Sequence, residues 1–249
     1  MFEQIGLFFI SLIANAFSAF SGGGAGLIQL PVLIFLGLPF ATALATHKIA
    51  AVALGFGATI RHLKESSLER RFALFILACG LPGVFLGANI ILSIPGRYAE
   101  ISLGVLTLSL GVYSIFKPSL GQQHQLKNQV GVRRWLGGLG LFGIGVLNGS
   151  LTSGTGLFVT LWLIQWFGLD YKRAVAYTLI LVGVFWNGAG AITLSFLAEA
   201  QYTWLPALIL GSIFGGYAGA HWSIKKGNQW IKRGFEIVTI LIGLKLMLG

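Results

Sequence analysis

Residues 17–32 read FSAFSGGGAGLIQLPV and place three successive glycines after a serine. The stretch lies in a segment that carries no aspartate, glutamate, lysine or arginine between Glu3 and Lys48. Glycine weakens a helix by about 1 kcal/mol per residue relative to alanine. The glycines therefore interrupt a segment that otherwise has the composition of a membrane helix, and the reason for the interruption depends on the topology of the chain.

The composition of the whole chain is that of a membrane protein. Apolar residues make up 55% of it, charged residues only 10%, and the mean hydropathy is +0.83. Soluble domains carry about 25% charged residues. Apolar runs of about 17–25 residues, the length that a helix needs to cross a bilayer, recur along the sequence. The sequence predicts an all-α polytopic membrane protein.

The apolar segments differ in length. Two of them, 27–38 and 156–168, would cover only about 18–20 Å as helices, which is well short of a full crossing. The full set is 4–20, 27–38, 41–60, 72–93, 98–116, 135–151, 156–168, 174–197, 203–222 and 229–248.

Basic residues are concentrated in four loops, which hold 14 of the 17 lysines and arginines. By the positive-inside rule these loops are cytoplasmic, and the loops SIPGRYAE and LAEAQYT are external. Both termini are then expected outside, in a multi-pass protein of the cell inner membrane. The basic loop residues are Arg61, Lys64, Arg70, Arg71, Lys117, Lys127, Arg133, Arg134, Lys172, Arg173, Lys225, Lys226, Lys232 and Arg233.

This sidedness forces the chain to double back twice. Segments 135–151 and 156–168 start and end at cytoplasmic loops, so together they make no net crossing. Segments 4–20 and 27–38 start and end outside. Each pair is either a re-entrant hairpin or a full span with a partial return, and the sequence leaves these alternatives open.

The two halves of the chain also match in sequence. Gly83 and Gly87 align with Gly215 and Gly219 at an offset of 132, which Thr46/Thr178 and Gly111/Gly243 share, and Gly26-Leu27 pairs with Gly156-Leu157. Three net crossings per copy place the second copy upside down, as in the inverted repeats of secondary transporters. The predicted division is 1–117 (hairpin 4–38, helices 41–60, 72–93 and 98–116), a cytoplasmic linker 118–132, and 133–249 (hairpin 135–168, helices 174–197, 203–222 and 229–248).

Both hairpin turns carry glycines and hydroxyl groups, in SGGGAG (21–26) and SLTSGTG (150–156). Each turn precedes a short helix, whose N-terminus offers N–H groups and about half a positive charge to an oxyanion. The alternative is that the glycines only permit tight helix packing. The candidate substrate-binding residues at the turns are Ser21, Gly22, Gly23, Gly24, Ser150, Thr152, Ser153, Gly154 and Thr155.

Lys48 is an ionisable residue inside a predicted span, next to His47. An intramembrane charge is by default a candidate for a functional site, although a lysine there can also extend its amine to the external interface. The repeat aligns Lys48 with Ile180, so the charge is not common to both copies. We add Thr46, His47, Lys48, Thr178 and Asn187 to the candidate substrate-binding residues.

The stretch GGGAGLIQLPVLIFLGLPFATALATHKIAAV resembles the TauE/SafE sulfite exporter family, and NGSLTSGTGLFVTLWLIQWFGLDYKRAVAYT resembles the second motif of that family. The resemblance covers essentially the whole chain. Some relatives carry Thr-Asn-Lys where this chain has Thr46-His47-Lys48, which places one polar contact in question. The resemblance implies transport of small sulfur-containing anions, usually discussed as export.

The sequence and the resemblance together favour a secondary transporter, an exporter of a small sulfur-containing oxyanion such as sulfite or an organosulfonate, working by alternating access. No catalytic triad or metal-ligand spacing supports an enzyme, and the positive-inside rule accounts for the net charge without nucleic acid. The partners expected are a small anion and the bilayer, with no cofactor; proton or Na⁺ coupling and a monomer or homodimer stay open. The alternatives are a membrane scaffold or assembly subunit without transport, and an anion channel.

Overall fold

The computed structural model describes residues 2–65, 68–90, 96–151 and 154–248, and these residues form helices joined by short loops. A π-helix lies within the second half of the chain. The helices are α1 (Phe2–Ser21), α2 (Ala25–Phe35), α3 (Phe40–His62), α4 (Arg70–Ile90), α5 (Gly96–Ile115), α6 (Gly131–Leu151), α7 (Thr155–Gln165), α8 (Tyr171–Tyr177), the π-helix (Thr178–Trp186), α9 (Asn187–Ser195), α10 (Leu205–Lys226) and α11 (Asn228–Leu248).

α1 exposes apolar side chains and buries polar ones, which is the reverse of a helix in a soluble protein. Phe9, Ile13 and Phe17 follow one another every four residues on an exposed face, whereas Ser11 and Asn15 are fully buried. An apolar outer face is favourable only where lipid replaces water. Four stretches of the described residues are helical, long and apolar enough to cross a membrane: Glu3–Ser21, Phe40–His62, Arg70–Ile90 and Tyr171–Ser195.

Both hairpins consist of a long helix followed by a short one. α1 has 20 residues and α6 has 21, whereas α2 and α7 have 11 each. At a rise of 1.5 Å per residue the long members measure about 30 Å and the short members about 16 Å. These lengths match a long helix with a half-length return at both positions.

The segment 174–197, expected as one uniform span, is divided into α8, the π-helix and α9. The π-helix covers nine residues, from Thr178 to Trp186. A π-helical turn accommodates more residues than an α-helical turn and occurs frequently at functional sites. Hydrophobic patterning does not distinguish the two kinds of turn, because residues 178–186 are nearly all apolar and no polar face defines a period.

Two long helix pairs pack through glycines in a reciprocal way. Gly83 and Gly87 of α4 lie against the carbonyl oxygens of Phe142 and Val146 on α6. Their sequence counterparts on α10, Gly215 and Gly219, lie against the carbonyl oxygens of Leu12 and Ala16 on α1. Leu12 and Ala16 precede Phe142 and Val146 by 130 residues, the offset that also relates Gly26 to Gly156. Contacts of one pair therefore map onto contacts of the other.

Two helices that align in sequence, α5 and α11, pack against each other in an antiparallel pair. On α5 and α11, Gly111 lies against Ile240 and its counterpart Gly243 lies against Leu108. Ser114 Oγ, further along α5, bonds the carboxylate of Glu236, which comes earlier on α11, at 2.9 Å. Residue numbers rise on one helix as they fall on the other, so the two helices run in opposite directions.

The basic loops assemble on one face of the molecule. Arg61 donates to Glu65 at 3.0 Å, and Lys172 lies 3.9 Å from the same carboxylate. The hydrogen bond and the charge of Arg61 hold the pKa of Glu65 below its usual value. Asn228 accepts from the backbone of Lys172 and donates to the carbonyl of Gln122. Loops expected on the same side of the membrane are therefore in contact.

Candidate functional site

The two hairpin turns meet near the middle of α3, with the N-termini of α2 and α7 facing each other. Gly22, Gly23 and Gly24 have φ values of 91°, 139° and 105°, which non-glycine residues rarely adopt. A methyl group added at Gly23 would lie 2.6 Å from the carbonyl carbon of Gly156 in the opposite turn. The glycine run is thus required both by the backbone path of the turn and by the close approach of the second turn.

A small cavity of about 40 Å³ lies between the turns and α3. A single water needs about 10–15 Å³ by this measure, so the cavity accommodates a few waters or one small ion. None of its lining residues is acidic. They are Ser18, Gly23, Gly24, Ala25, Gly26, His47, Ala51, Leu54, Asn148, Thr155, Gly156, Thr178, Leu179, Val182, Gly183 and Asn187.

Lys48 lies directly behind this cavity. Its side chain is fully buried, so it does not reach the membrane surface. Nζ donates to the carbonyl oxygen of Asn148 at 2.7 Å and to its Oδ1 at 3.1 Å. It also lies 3.4 Å from Oδ1 of Asn187. α6 ends at Leu151, so the Asn148 carbonyl belongs to the last turn and lies at the negative end of the helix dipole.

The lysine fixes the orientation of two amide side chains that line the cavity. Asn148 Oδ1 accepts from Lys48, and its Nδ2 donates to Thr155 Oγ1 at 2.8 Å, at the start of α7. Asn187 Oδ1 receives both Lys48 and Asn148 Nδ2, each at 3.4 Å. Among the described residues, both side-chain contacts of Asn187 use its amide oxygen, which leaves the amide nitrogen as a donor at the cavity wall.

His47 connects the cavity to the first hairpin. Nδ1 lies 2.8 Å from Oε1 of Gln29 on α2, and Nε2 of Gln29 donates to Ser11 Oγ on α1 at 3.1 Å. Ser11 Oγ is 2.9 Å from Ser212 Oγ on α10. Adjacent residues of α3 thus bond to both hairpins, His47 to the first and Lys48 to the second.

A hydroxyl pair joins the first turn to the second half of the chain. Thr160 Oγ1 on α7 donates to the carbonyl oxygen of Gly22 at 2.7 Å and lies 2.9 Å from Thr178 Oγ1, the first residue of the π-helix. Thr160 is fully buried, so this carbonyl is removed from water and depends on the hydroxyl for its hydrogen bond.

We expect Thr160→Val to destabilise the protein because it leaves the buried Gly22 carbonyl without a donor, a loss of about 1–3 kcal/mol. In a chain of this size that corresponds to a fall of a few degrees in the melting temperature, measured in detergent. The control is Thr193→Val, since the Thr193 hydroxyl bonds only the Ala189 carbonyl of its own helix, at 2.9 Å. Equal melting temperatures for the two variants would contradict the assignment.

The structure brings part of the expected set together. Gly23, Gly24, His47, Thr155, Thr178 and Asn187 line the cavity, and Lys48 lies behind it. The carbonyl oxygen of Gly22 accepts a hydrogen bond from Thr160 Oγ1. Gly154 is the N-cap residue of α7 and has a φ of 75°. The hydroxyls of Ser21, Thr46 and Ser150 instead bond backbone carbonyls four residues earlier, at Phe17, Thr42 and Val146. Thr152 and Ser153 lie outside the described residues.

Other residues of the site were not in the expected set. Asn148 precedes the second turn and is the main acceptor of Lys48. Gln29 lies one turn into α2, and a polar residue in a short apolar helix could have indicated a place in the site. Thr160 occupies the corresponding depth of α7. The π-helix residues Leu179, Val182 and Gly183 carried no polar signal.

Comparison with known proteins agrees with this architecture. The sulfite exporter TauE/SafE family matches residues 7–246. A probable membrane transporter protein of Haemophilus influenzae is 29% identical, over 97% of this chain and 93% of the relative. YfcA of Escherichia coli K12 and YdhB of Bacillus subtilis, also named as probable membrane transporter proteins, are each 24% identical over 97% of this chain, covering 88% and 97% of their own lengths.

No solved structure gives a significant match to the chain. The family match spans nearly the whole sequence, and the similar proteins are named as transporters rather than as enzymes. The chain is therefore a multi-pass membrane transporter, and it belongs to the sulfite exporter TauE/SafE family.

Proposed function

We propose that this protein is a secondary transporter that binds a small sulfur-containing oxyanion, such as sulfite or an organosulfonate, in the cavity between the two turns. The observation that carries the proposal is the opposition of two half-length helices, α2 and α7, whose N-termini face one cavity. Each N-terminus offers backbone N–H groups and about half a positive charge. Such an arrangement binds oxyanions and is typical of transporters with broken helices.

The chemistry of the lining supports an anion. The amide nitrogen of Asn187 is available as a donor, because its oxygen already accepts from Lys48 and Asn148. The Lys48 charge acts on the cavity through these two amides, and the lining contains no carboxylate that would repel an anion. The volume of about 40 Å³ suits a compact ion rather than a long organic substrate.

The packing of the halves supports alternating access. Reciprocal contacts of α1 with α10 and of α4 with α6, together with the antiparallel packing of aligned α5 and α11, are what two inverted copies would produce. In such a protein one half moves against the other around a fixed midplane site. The domain division 1–117, 118–132 and 133–249 belongs to this proposal.

The orientation in the membrane follows from charge. The face that gathers the basic loops around Arg61, Lys172 and Asn228 is assigned to the cytoplasm by the positive-inside rule. Both termini then lie outside, in a bacterial inner membrane. For an exporter, the substrate would first meet the site from the basic face, which attracts anions.

The scaffold alternative predicts that the turns pack without a cavity, and the polar cavity between them favours transport instead.

A transport experiment distinguishes a carrier from a channel. Purified protein is reconstituted into liposomes loaded with unlabelled sulfite, and uptake of radiolabelled sulfite is followed. A carrier gives saturable uptake that internal sulfite accelerates, whereas a channel gives no such acceleration and a scaffold gives no uptake above that of protein-free liposomes. Thiosulfate, sulfoacetate, taurine and sulfate are then tested as competitors.

A further inference from the structure

We propose that Lys48 is the proton-binding residue of the transport cycle, taking up one proton when an anion occupies the adjacent cavity and releasing it when the anion leaves. The inference rests on the proposed function and names its coupling ion. Anion and proton would then cross the membrane together, and the driving force would include the pH gradient.

The first argument is that Lys48 has no acidic partner among the residues that the structure describes. The ion pairs among the described residues join Glu65 to Arg61 and Lys172, and Glu236 to Lys232. Every acceptor of Lys48 is a neutral dipole, namely the carbonyl and amide oxygens of Asn148 and the amide oxygen of Asn187. A neutral amine keeps two N–H donors for these oxygens and an ammonium has three, so the site can hold both protonation states, although the ammonium makes the stronger hydrogen bonds.

The second argument concerns energy. A fully buried ammonium without a counter-ion costs several kcal/mol, even after the structure relaxes. The C-terminus of α6 supplies about half a negative charge, but the N-termini of α2 and α7 bring about half a positive charge each to the same region. An anion in the cavity supplies the missing negative charge. Anion and proton therefore stabilise each other, and this coupling is reciprocal by thermodynamic necessity.

Other charged groups do not face this lysine. His47 is the neighbouring titratable side chain, and its ring pairs with Gln29. α2, the π-helix and α9, which pack on α3, carry no charged residue. The remaining charges of the packed helices lie near helix ends: Glu3 on α1, Arg133 and Arg134 on α6, Lys172 and Arg173 on α8, and His221, Lys225 and Lys226 on α10.

The test is calorimetric titration of the purified protein with sulfite at one pH, in buffers of different ionisation enthalpy. The dependence of the observed heat on buffer enthalpy gives the number of protons taken up per anion. Wild-type protein should take up about one proton more than Lys48→Arg, because arginine stays charged in the empty site. Protonation of sulfite itself contributes equally to both and cancels in the difference. Lys245→Arg, which changes an exposed lysine of α11, should behave as wild type.

A second variant keeps the lysine and adds a fixed counter-ion. Asn187→Asp places a carboxylate beside Nζ, so the ammonium should persist without an anion, proton uptake should fall by about one, and sulfite should bind at least tenfold more weakly. If Lys48→Arg and Asn187→Asp both took up as many protons per anion as the wild type, the inference would be overturned. It would also be overturned if His47→Gln lost the proton uptake while Lys48→Arg retained it. Absence of sulfite binding to the wild-type protein would instead defeat the proposed function itself.

Discussion

Gly23→Ala is expected to abolish sulfite transport in liposomes, with a loss of at least about 10²-fold, the size of effect that an ångström of misplacement has in an enzyme site. The residue has φ 139°, and its added methyl group would lie 2.6 Å from the carbonyl carbon and 2.7 Å from Cα of Gly156. These are backbone atoms, so no side-chain rotation relieves the contact. The two helix N-termini must separate, and the anion then loses simultaneous contact with both.

The matched control is Gly37→Ala, at the turn between α2 and α3. Gly37 also has a positive φ, 100°, but an added methyl group meets no atom within 4 Å. In both variants the alanine must adopt a positive φ, which costs about 1–2 kcal/mol. Only in Gly23→Ala does the added methyl group also overlap backbone atoms of Gly156. Initial rates of labelled sulfite uptake are compared with the melting temperature of each variant. Transport lost equally in both would mean that backbone strain, and not the meeting of the turns, is responsible.

The sequence predicted the helical membrane fold because length, charge and apolar composition are properties of single segments. Lysine and arginine clusters near residues 61–71 and 225–233 marked one face, and segments 27–38 and 156–168 were too short to cross. The division of 174–197 into α8, the π-helix and α9 could not be predicted. Its residues are nearly all apolar, so no polar face defines a period from which the helix type could be read.

At the candidate site, the sequence identified an unusual residue but did not predict the groups that it contacts. Lys48 was identified because a charge inside a span is costly and seldom present without a function. Its partner is the backbone carbonyl of Asn148, which any residue could have supplied. The hydroxyls of Ser21 and Ser150 were expected at the site, but serine in a helix also bonds the carbonyl four residues earlier, and the sequence does not distinguish these uses.

Lys48→Met is expected to reduce sulfite transport by about 10–100-fold and to lower the free energy of unfolding by about 1–3 kcal/mol. Methionine has a similar length and no N–H group, so it fills the space of the side chain but leaves the buried Asn148 carbonyl oxygen without its lysine donor. Transport falls for a separate reason. Asn148 and Asn187 lose the donor that fixes their amide orientation, and the anion loses a positive charge, an interaction of about 1.5–3 kcal/mol per charged hydrogen bond.

The comparison that isolates this effect is Lys245→Met, which removes a charge of the same kind from the exposed end of α11. Labelled sulfite uptake and melting temperature are measured for both variants in the same lipids. Transport should be retained in Lys245→Met and reduced about 10–100-fold in Lys48→Met, with the melting temperature of Lys48→Met lower by a few degrees. Full transport in Lys48→Met would remove the lysine from the mechanism, because an anion site that works without its buried cation must rely on the helix N-termini alone. A much larger fall in melting temperature, with little folded protein left in the membrane, would show that the Lys48–Asn148 contact serves folding rather than transport.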